Sequence, residues 1–187
     1  MINQQLLNPQ SIVVVGGSDD IHKPGGKVLK NLLDGDFKGD LYVSNPKMDE
    51  VQGVKSYKDI NALPEVDCAI IAIAAKFCPK TVEILAKEKK TRAFIILSAG
   101  FSEENEEGAE LERQVVDTIN SVNGCLIGPN CVGVLNPNYN GVFTTPIPSL
   151  DPKGVDFISG SGATAVFIME SGVTKGLNFA SVYSVGN

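Results

Sequence analysis

Residues 11–27, SIVVVGGSDDIHKPGGK, set the tightest limit on what this chain can fold into. Ile12, Val13, Val14 and Val15 form an unbroken apolar run that ends at Gly16 and Gly17. A polar loop follows, and Gly25 and Gly26 open a segment with helical periodicity. Strand, glycine turn and helix in that order form the repeating unit of parallel α/β sheets. The turn also suits an anion, because glycine lets backbone N–H groups approach without a Cβ in the way and a helix N-terminus carries partial positive charge. A bare βα turn has the same outline, so the turn alone leaves the function open.

The dinucleotide fingerprint G-x-G-x-x-G is not met, since Ser18 stands at the second glycine position and Ile21 at the third. The seven residues 18–24 separate the two glycine pairs, which gives a longer loop able to offer the Ser18 hydroxyl and its backbone amides to a ligand. The second strand, residues 40–44, ends in Asn45, Pro46 and Lys47. An NAD-binding sheet carries an acidic residue here for the ribose hydroxyls. A neutral pair followed by lysine favours a phosphorylated ribose instead, because an ammonium attracts the phosphate that a carboxylate would repel. A solvated turn lysine is the plainer alternative.

With 187 residues, 43% of them hydrophobic and 20% charged, the chain can bury one good core and begin a second unit. A net charge of −6, with no block rich in Lys and Arg, argues against a general nucleic-acid binder. No apolar run reaches the roughly 20 residues of a membrane span, and residues 1–10 lack signal-peptide character, so the expected setting is cytoplasmic. Cys68, Cys78, Cys125 and Cys131 show no C-x-x-C spacing and read as reduced, structural residues, with no metal site.

Helical spacing of Val28, Leu29, Leu32 and Leu33 predicts a first helix over 24–34, stopped by a left-handed Gly35. A short strand near Val54 and a helical turn over 57–63 lead to a buried strand over 68–74. A helix follows from Pro79, then a strand over 93–97, a long helix capped by Ser102, and a strand over 125–127. Glu103, Glu104, Glu106 and Glu107 read as helix-start electrostatics. The strand ends at 16–18, 44–47, 74–75, 98–100 and 128–131 then share one edge, where open α/β sheets bind ligands. The expected fold is a Rossmann-like doubly wound parallel sheet over 1–135. A connector rich in Pro and Asn spans 136–152, and 153–187 begin a second unit: a strand over 155–158, a glycine turn at Ser159, Gly160, Ser161 and Gly162, a helix over 163–171 and a strand over 179–185. Such a short unit would need completion by further chain, a partner or a second copy.

The motifs VVVGGS, KPGGKVLKNLL, SNPK, LSAGFSE, GPNC, FISGSGA and SVGN, in this order and spacing, resemble the ADP-forming acyl-CoA synthetases, relatives of the succinyl-CoA synthetase α subunit. The resemblance covers nearly the whole chain. It implies a CoA-binding Rossmann-like domain followed by the start of a flavodoxin-like domain. The family's reaction turns acyl-CoA, ADP and phosphate into acid, CoA and ATP by way of an acyl phosphate and a phosphohistidine. Carried over by position, the CoA site falls on Gly16, Gly17, Ser18, Asn45, Pro46, Lys47, Ile73, Ala74, Ser98 and Ala99, with Asn130 toward the thioester. The turn Ser159, Gly160, Ser161, Gly162 corresponds to the helix N-terminus that receives the phosphorylated histidine. The family often has proline where this chain has Ala74 or Ala75. Its phosphohistidine and ATP-grasp parts lie outside these residues, and His22 is not in the phosphohistidine context. The resemblance therefore implies a partner in the rest of the synthetase and no catalytic residue within the chain. A regulatory or standalone CoA-binding module and an NADP-dependent oxidoreductase are the competing readings.

Overall fold

The computed structural model describes residues 2–186. A four-residue helix α1 (Gln4–Leu7), capped by the Asn3 side chain, precedes β1 (Ser11–Val15). Then come α2 (Pro24–Asp34), β2 (Asp40–Ser44), β3 (Glu50–Val51), β4 (Val54–Tyr57), β5 (Cys68–Ile71), α3 (Cys78–Glu88), β6 (Ala93–Ile96), α4 (Glu106–Ser121) and β7 (Cys125–Ile127). These seven strands form one sheet in the order β3-β4-β2-β1-β5-β6-β7. All neighbours are parallel except the β3–β4 hairpin. Counted in chain order, the parallel strands run 3-2-1-4-5-6, the doubly wound dinucleotide-fold order with its switch point between β1 and β5.

The strands alternate their apolar residues between two cores, as a period of two requires. Ile12, Val14, Val43, Ile70 and Ile95 pack against Val28, Leu29 and Leu32 of α2 on one face. Val13, Ala69, Ile71, Phe94 and Ile96 pack against Val82 and Leu85 of α3 and Val115 and Ile119 of α4 on the other. All four cysteines are free and buried in this packing.

A second sheet of four strands takes the order β10-β11-β8-β9, from β8 (Gly133–Asn136), β9 (Tyr139–Val142), β10 (Leu150–Ser159) and β11 (Phe179–Ser184), with α5 (Gly162–Val173) joining the parallel pair β10 and β11. The β8–β9 hairpin lies on the first unit: the Tyr139 hydroxyl donates to Leu6 O at 2.8 Å, and buried Asn31 of α2 donates to Val142 O at 2.6 Å and to Thr144 O at 3.0 Å. Ile158 and Phe167 of the second unit are 64% and 65% exposed, so this sheet and helix present apolar surface outward.

Several local expectations shift. Gly35 has φ −79°, and the left-handed residue is its neighbour Asp36 at φ 53°. α4 is capped by Asn105, whose Oδ1 accepts from Gly108 N at 2.8 Å; Ser102 lies upstream and donates its amide to Glu112. Glu103 likewise precedes the helix and accepts from the Gly100 and Phe101 amides, leaving Glu106 and Glu107 in the first turn. The stretch 136–152 is not all irregular, because β9 and the first residues of β10 fall inside it. The hairpin was hidden by its asparagines: Asn136 Oδ1 accepts the amides of Asn138 and Tyr139 and so builds the tight turn that composition alone suggests is a loose connector. Among the described residues no helix is long and apolar enough to cross a membrane.

Candidate functional site

Parallel pairing of β2, β1, β5, β6 and β7 brings their carboxyl ends to one edge, and hydrogen bonds join those ends laterally. At the outer side, Asn45 Oδ1 accepts the Lys47 amide at 2.9 Å, and Asn45 Nδ2 donates to Gly17 O at 2.8 Å. Gly16 N donates to Ser44 O at 2.9 Å. Across the switch point, Gly16 takes φ 85°, and a Cβ there would stand 2.5 Å from Ala72 O. Only glycine permits this approach of β1 to the end of β5. Farther along, Ser98 Oγ donates to Ile73 O at 2.5 Å, and Asn130 N donates to Ser98 O at 2.9 Å. Thus Gly16, Gly17, Asn45, Lys47, Ile73, Ser98 and Asn130, read as separate strand ends, belong to one bonded edge; Pro46, Ala74 and Ala99 lie exposed along it.

The glycine loop folds tightly against α2. A Cβ on Gly25 would meet Gly16 O at 2.1 Å, and one on Gly26 would meet Asp20 O at the same distance. The helix therefore begins directly under the turn. No side chain caps α2 and no acid occupies its first turn. Ser18 Oγ accepts Asp20 N at 3.1 Å, which leaves the hydroxyl proton for another acceptor. Asp20 Oδ1 accepts His22 N at 3.0 Å, and Asp20 Oδ2 lies 3.8 Å from Lys23 Nζ. Lys47 is exposed in the turn that follows β2.

At the β7 end, the edge meets the second unit. A cleft of about 470 Å³ is lined by Leu97, Asn130, Cys131 and Phe143 on one side and by Gly160, Ser161 and Gly162 on the other. Ser161 caps α5 through Thr164 N at 3.3 Å, and Ser159 Oγ accepts the Ser161 amide at 3.2 Å. A Cβ on Gly162 would lie 2.8 Å from a Val132 methyl, so glycine sets how closely α5 approaches the cleft. Cys131 lines this space as a protonated thiol: burial pushes its pKa up to about 12, and its Sγ lies 3.3 Å from Ile96 O. It is therefore a poor nucleophile in the cleft.

Residues missed in the sequence also meet this edge. Phe143 and Val166 line the cleft, and Gln52 reaches the glycine loop from the β3–β4 turn. The cue to Gln52 was the pair Gln52-Gly53 between two strand-like pairs, the outline of a two-residue hairpin. Nothing in the sequence marked Phe143 or Val166, which arrive through tertiary packing.

The sequence pattern of the CoA binding domain matches residues 10–137. The chain is 40% identical over 185 residues to the acetate–CoA ligase (ADP-forming) II subunit alpha of Pyrococcus furiosus, covering 97% of this chain and 39% of that protein. It is 35% identical over 190 residues to the 4-hydroxybutyrate–CoA ligase (ADP-forming) of Nitrosopumilus maritimus, covering 100% of this chain and 27% of that one. Among solved structures, the dinucleotide-forming acetyl-coenzyme A synthetase 1 of Ca. Korarchaeum cryptofilum, in complex with phosphate and ADP, superimposes with a TM-score of 0.88 at 33% identity over 98% of this chain and 39% of that one. The chain thus spans about two fifths or less of the length of these relatives. On the matched pattern, the strand order and the glycine-edged switch point together, the chain belongs to the CoA binding domain family and resembles the CoA-binding portion of the ADP-forming acyl-CoA synthetases.

Proposed function

We propose that the chain binds CoA or acyl-CoA along the carboxyl edge of the seven-stranded sheet, as the CoA-handling part of an ADP-forming acyl-CoA synthetase. In this reading the glycine turn (Gly16, Gly17, Ser18) and the start of α2 receive the pyrophosphate, and Lys47, oriented by Asn45 and Pro46, takes the ribose phosphate. Ile73, Ala74, Ser98 and Ala99 guide the ligand across the strand ends toward Asn130. The cleft shared by Asn130, Ser161 and Gly162 is the observation that carries the proposal. A thioester lying beside Asn130 would meet a phosphate held by the turn Ser159, Gly160, Ser161, Gly162 at the N-terminus of α5. Attack of a phosphate oxygen on the thioester carbonyl breaks the C–S bond, releases the CoA thiolate and leaves an acyl phosphate. The helix amides stabilise the anion throughout.

Onward transfer of the phosphoryl group to ADP requires the phosphohistidine and nucleotide-binding parts, which we assign to the remaining length of synthetase seen in the relatives. That remainder would cover the outward-facing Ile158 and Phe167. Four reduced, buried thiols fit a cytoplasmic setting.

Calorimetric titration with CoA, dephospho-CoA, NAD and NADP tests the reading. CoA is expected to bind tightest and dephospho-CoA more weakly. Tighter binding of NADP than of CoA would overturn the proposal in favour of an oxidoreductase.

A further inference from the structure

Gln52 sits where its residue type is unfavourable. The β3–β4 connection has two residues, and both take positive φ: Gln52 at 50° and Gly53 at 80°. This is the primed hairpin turn, whose first position favours Asn, Asp or Gly. A glutamine in left-handed backbone carries a cost that persists when its surroundings hold it there. The half-buried Gln52 is held by three bonds, all to the glycine loop and the start of α2. Its amide donates to Asp19 Oδ1 at 2.8 Å, while Nε2 donates to Ser18 O at 2.7 Å and to Gly26 O at 2.8 Å.

Those three acceptors share one property. Each is an oxygen of full or partial negative charge on the glycine loop or the start of α2, where a polyanion would sit, and each is bound by Gln52. We infer that Gln52 is a positioning residue for CoA binding: it holds the Asp19 carboxylate and the Ser18 and Gly26 carbonyls on its own side of the turn and so sets the loop amides toward the ligand's phosphates. The edge hairpin β3–β4 is the arm that delivers it. This inference rests on the proposed placement of CoA at the glycine loop.

The test is Gln52→Glu, which keeps the shape and the backbone bond but replaces the side-chain donor by an acceptor facing two carbonyls. At pH 8 it should weaken CoA and dephospho-CoA alike by about tenfold, the scale of two lost hydrogen bonds. Equal loss for both ligands separates a loop effect from a contact with the ribose phosphate. As pH falls toward 5, the glutamate takes up a proton and regains a donor, so the ratio of variant to wild-type dissociation constants should shrink. Gln52→Gly, which relieves the backbone and keeps the Asp19 bond, should lose CoA affinity while keeping or raising thermal stability. Wild-type affinity in both variants, or a Gln52→Glu ratio independent of pH, would overturn the inference while the CoA site stands. Failure of the wild-type chain to bind CoA would instead remove the site reading and the inference with it.

Discussion

Lys47 is an exposed cation at the end of β2, fixed at its backbone by Asn45 and with no acid taking the usual ribose-binding place. Lys47→Ala should weaken CoA by about 1.5–3 kcal/mol, the range for a hydrogen bond to a charged group, and leave dephospho-CoA binding nearly unchanged. Comparing the two titrations checks this, and equal losses would remove Lys47 from the phosphate. The buried thiols supply a second residue-level expectation. Burial pushes Cys78 and Cys131 up to about 12, whereas an unfolded thiol titrates near about 8.5. Their contribution to stability is fully present below the unfolded value. Above it the unfolded chain has released protons that the folded chain still holds, so stability falls as pH rises from about 9 to 12. At pH 10.5 the loss should be on the order of 3 kcal/mol per thiol. Urea unfolding at pH 7.5 and 10.5 should show a smaller decline for Cys78→Ala than for wild type; parallel declines would mean that Cys78 does not contribute.

At the scale of elements, helix propensity and packing oppose each other at Gly25. Alanine in a helix interior is favoured over glycine by about 1 kcal/mol. Against that, the new Cβ would stand 2.1 Å from Gly16 O and 2.9 Å from Gly16 C, both backbone atoms that cannot move aside without shifting the turn. Overpacking of about 1–3 kcal/mol should prevail, so Gly25→Ala should melt at lower temperature and lose CoA affinity. A raised melting temperature with intact affinity would show that the turn relaxes freely. This pair of effects also explains what the sequence could reveal. The strand-turn-helix unit was legible because its residues are local and chemically marked: an apolar run, paired glycines, and Pro24 at the helix start. Cys68, Ala93 and Cys125 likewise open strands as their apolar runs suggest. The β8–β9 hairpin was not legible, because its tight turn is built by Asn136 and its place on the first unit by Asn31 and Leu6, distant in sequence. The cap of α4 was misplaced by three residues, since Ser102 and Asn105 are both good caps and only the turn bonded to Glu103 selects between them. Of the candidate site, the strand ends could be found by pattern, whereas Gln52 contributes through a hairpin that reaches back across the sheet.

For the whole molecule, the proposed division into residues 1–135, a connector over 136–152 and a second unit over 153–187 can be tested by proteolysis. Among the described residues, 143–149 form neither helix nor strand, and Thr145 and Pro146 within them are exposed. Limited subtilisin treatment should cut there first. The two pieces should nevertheless travel together in native gel filtration, because β8 pairs with β11 across the cut, and should separate in denaturant. First cleavage outside 136–152, or free separation of the pieces, would contradict this organisation. The seam between the sheets has a further meaning. Gly128 N donates to Val185 O at 3.1 Å, Val132 N donates to Ser184 Oγ at 3.1 Å, and Gly186 lies so close to Pro129 that a Cβ would stand 2.0 Å from its carbonyl oxygen. These contacts tie the turn that carries Asn130 to the end of β11, so the two walls of the cleft belong to chain segments fastened to each other by backbone as well as by packing.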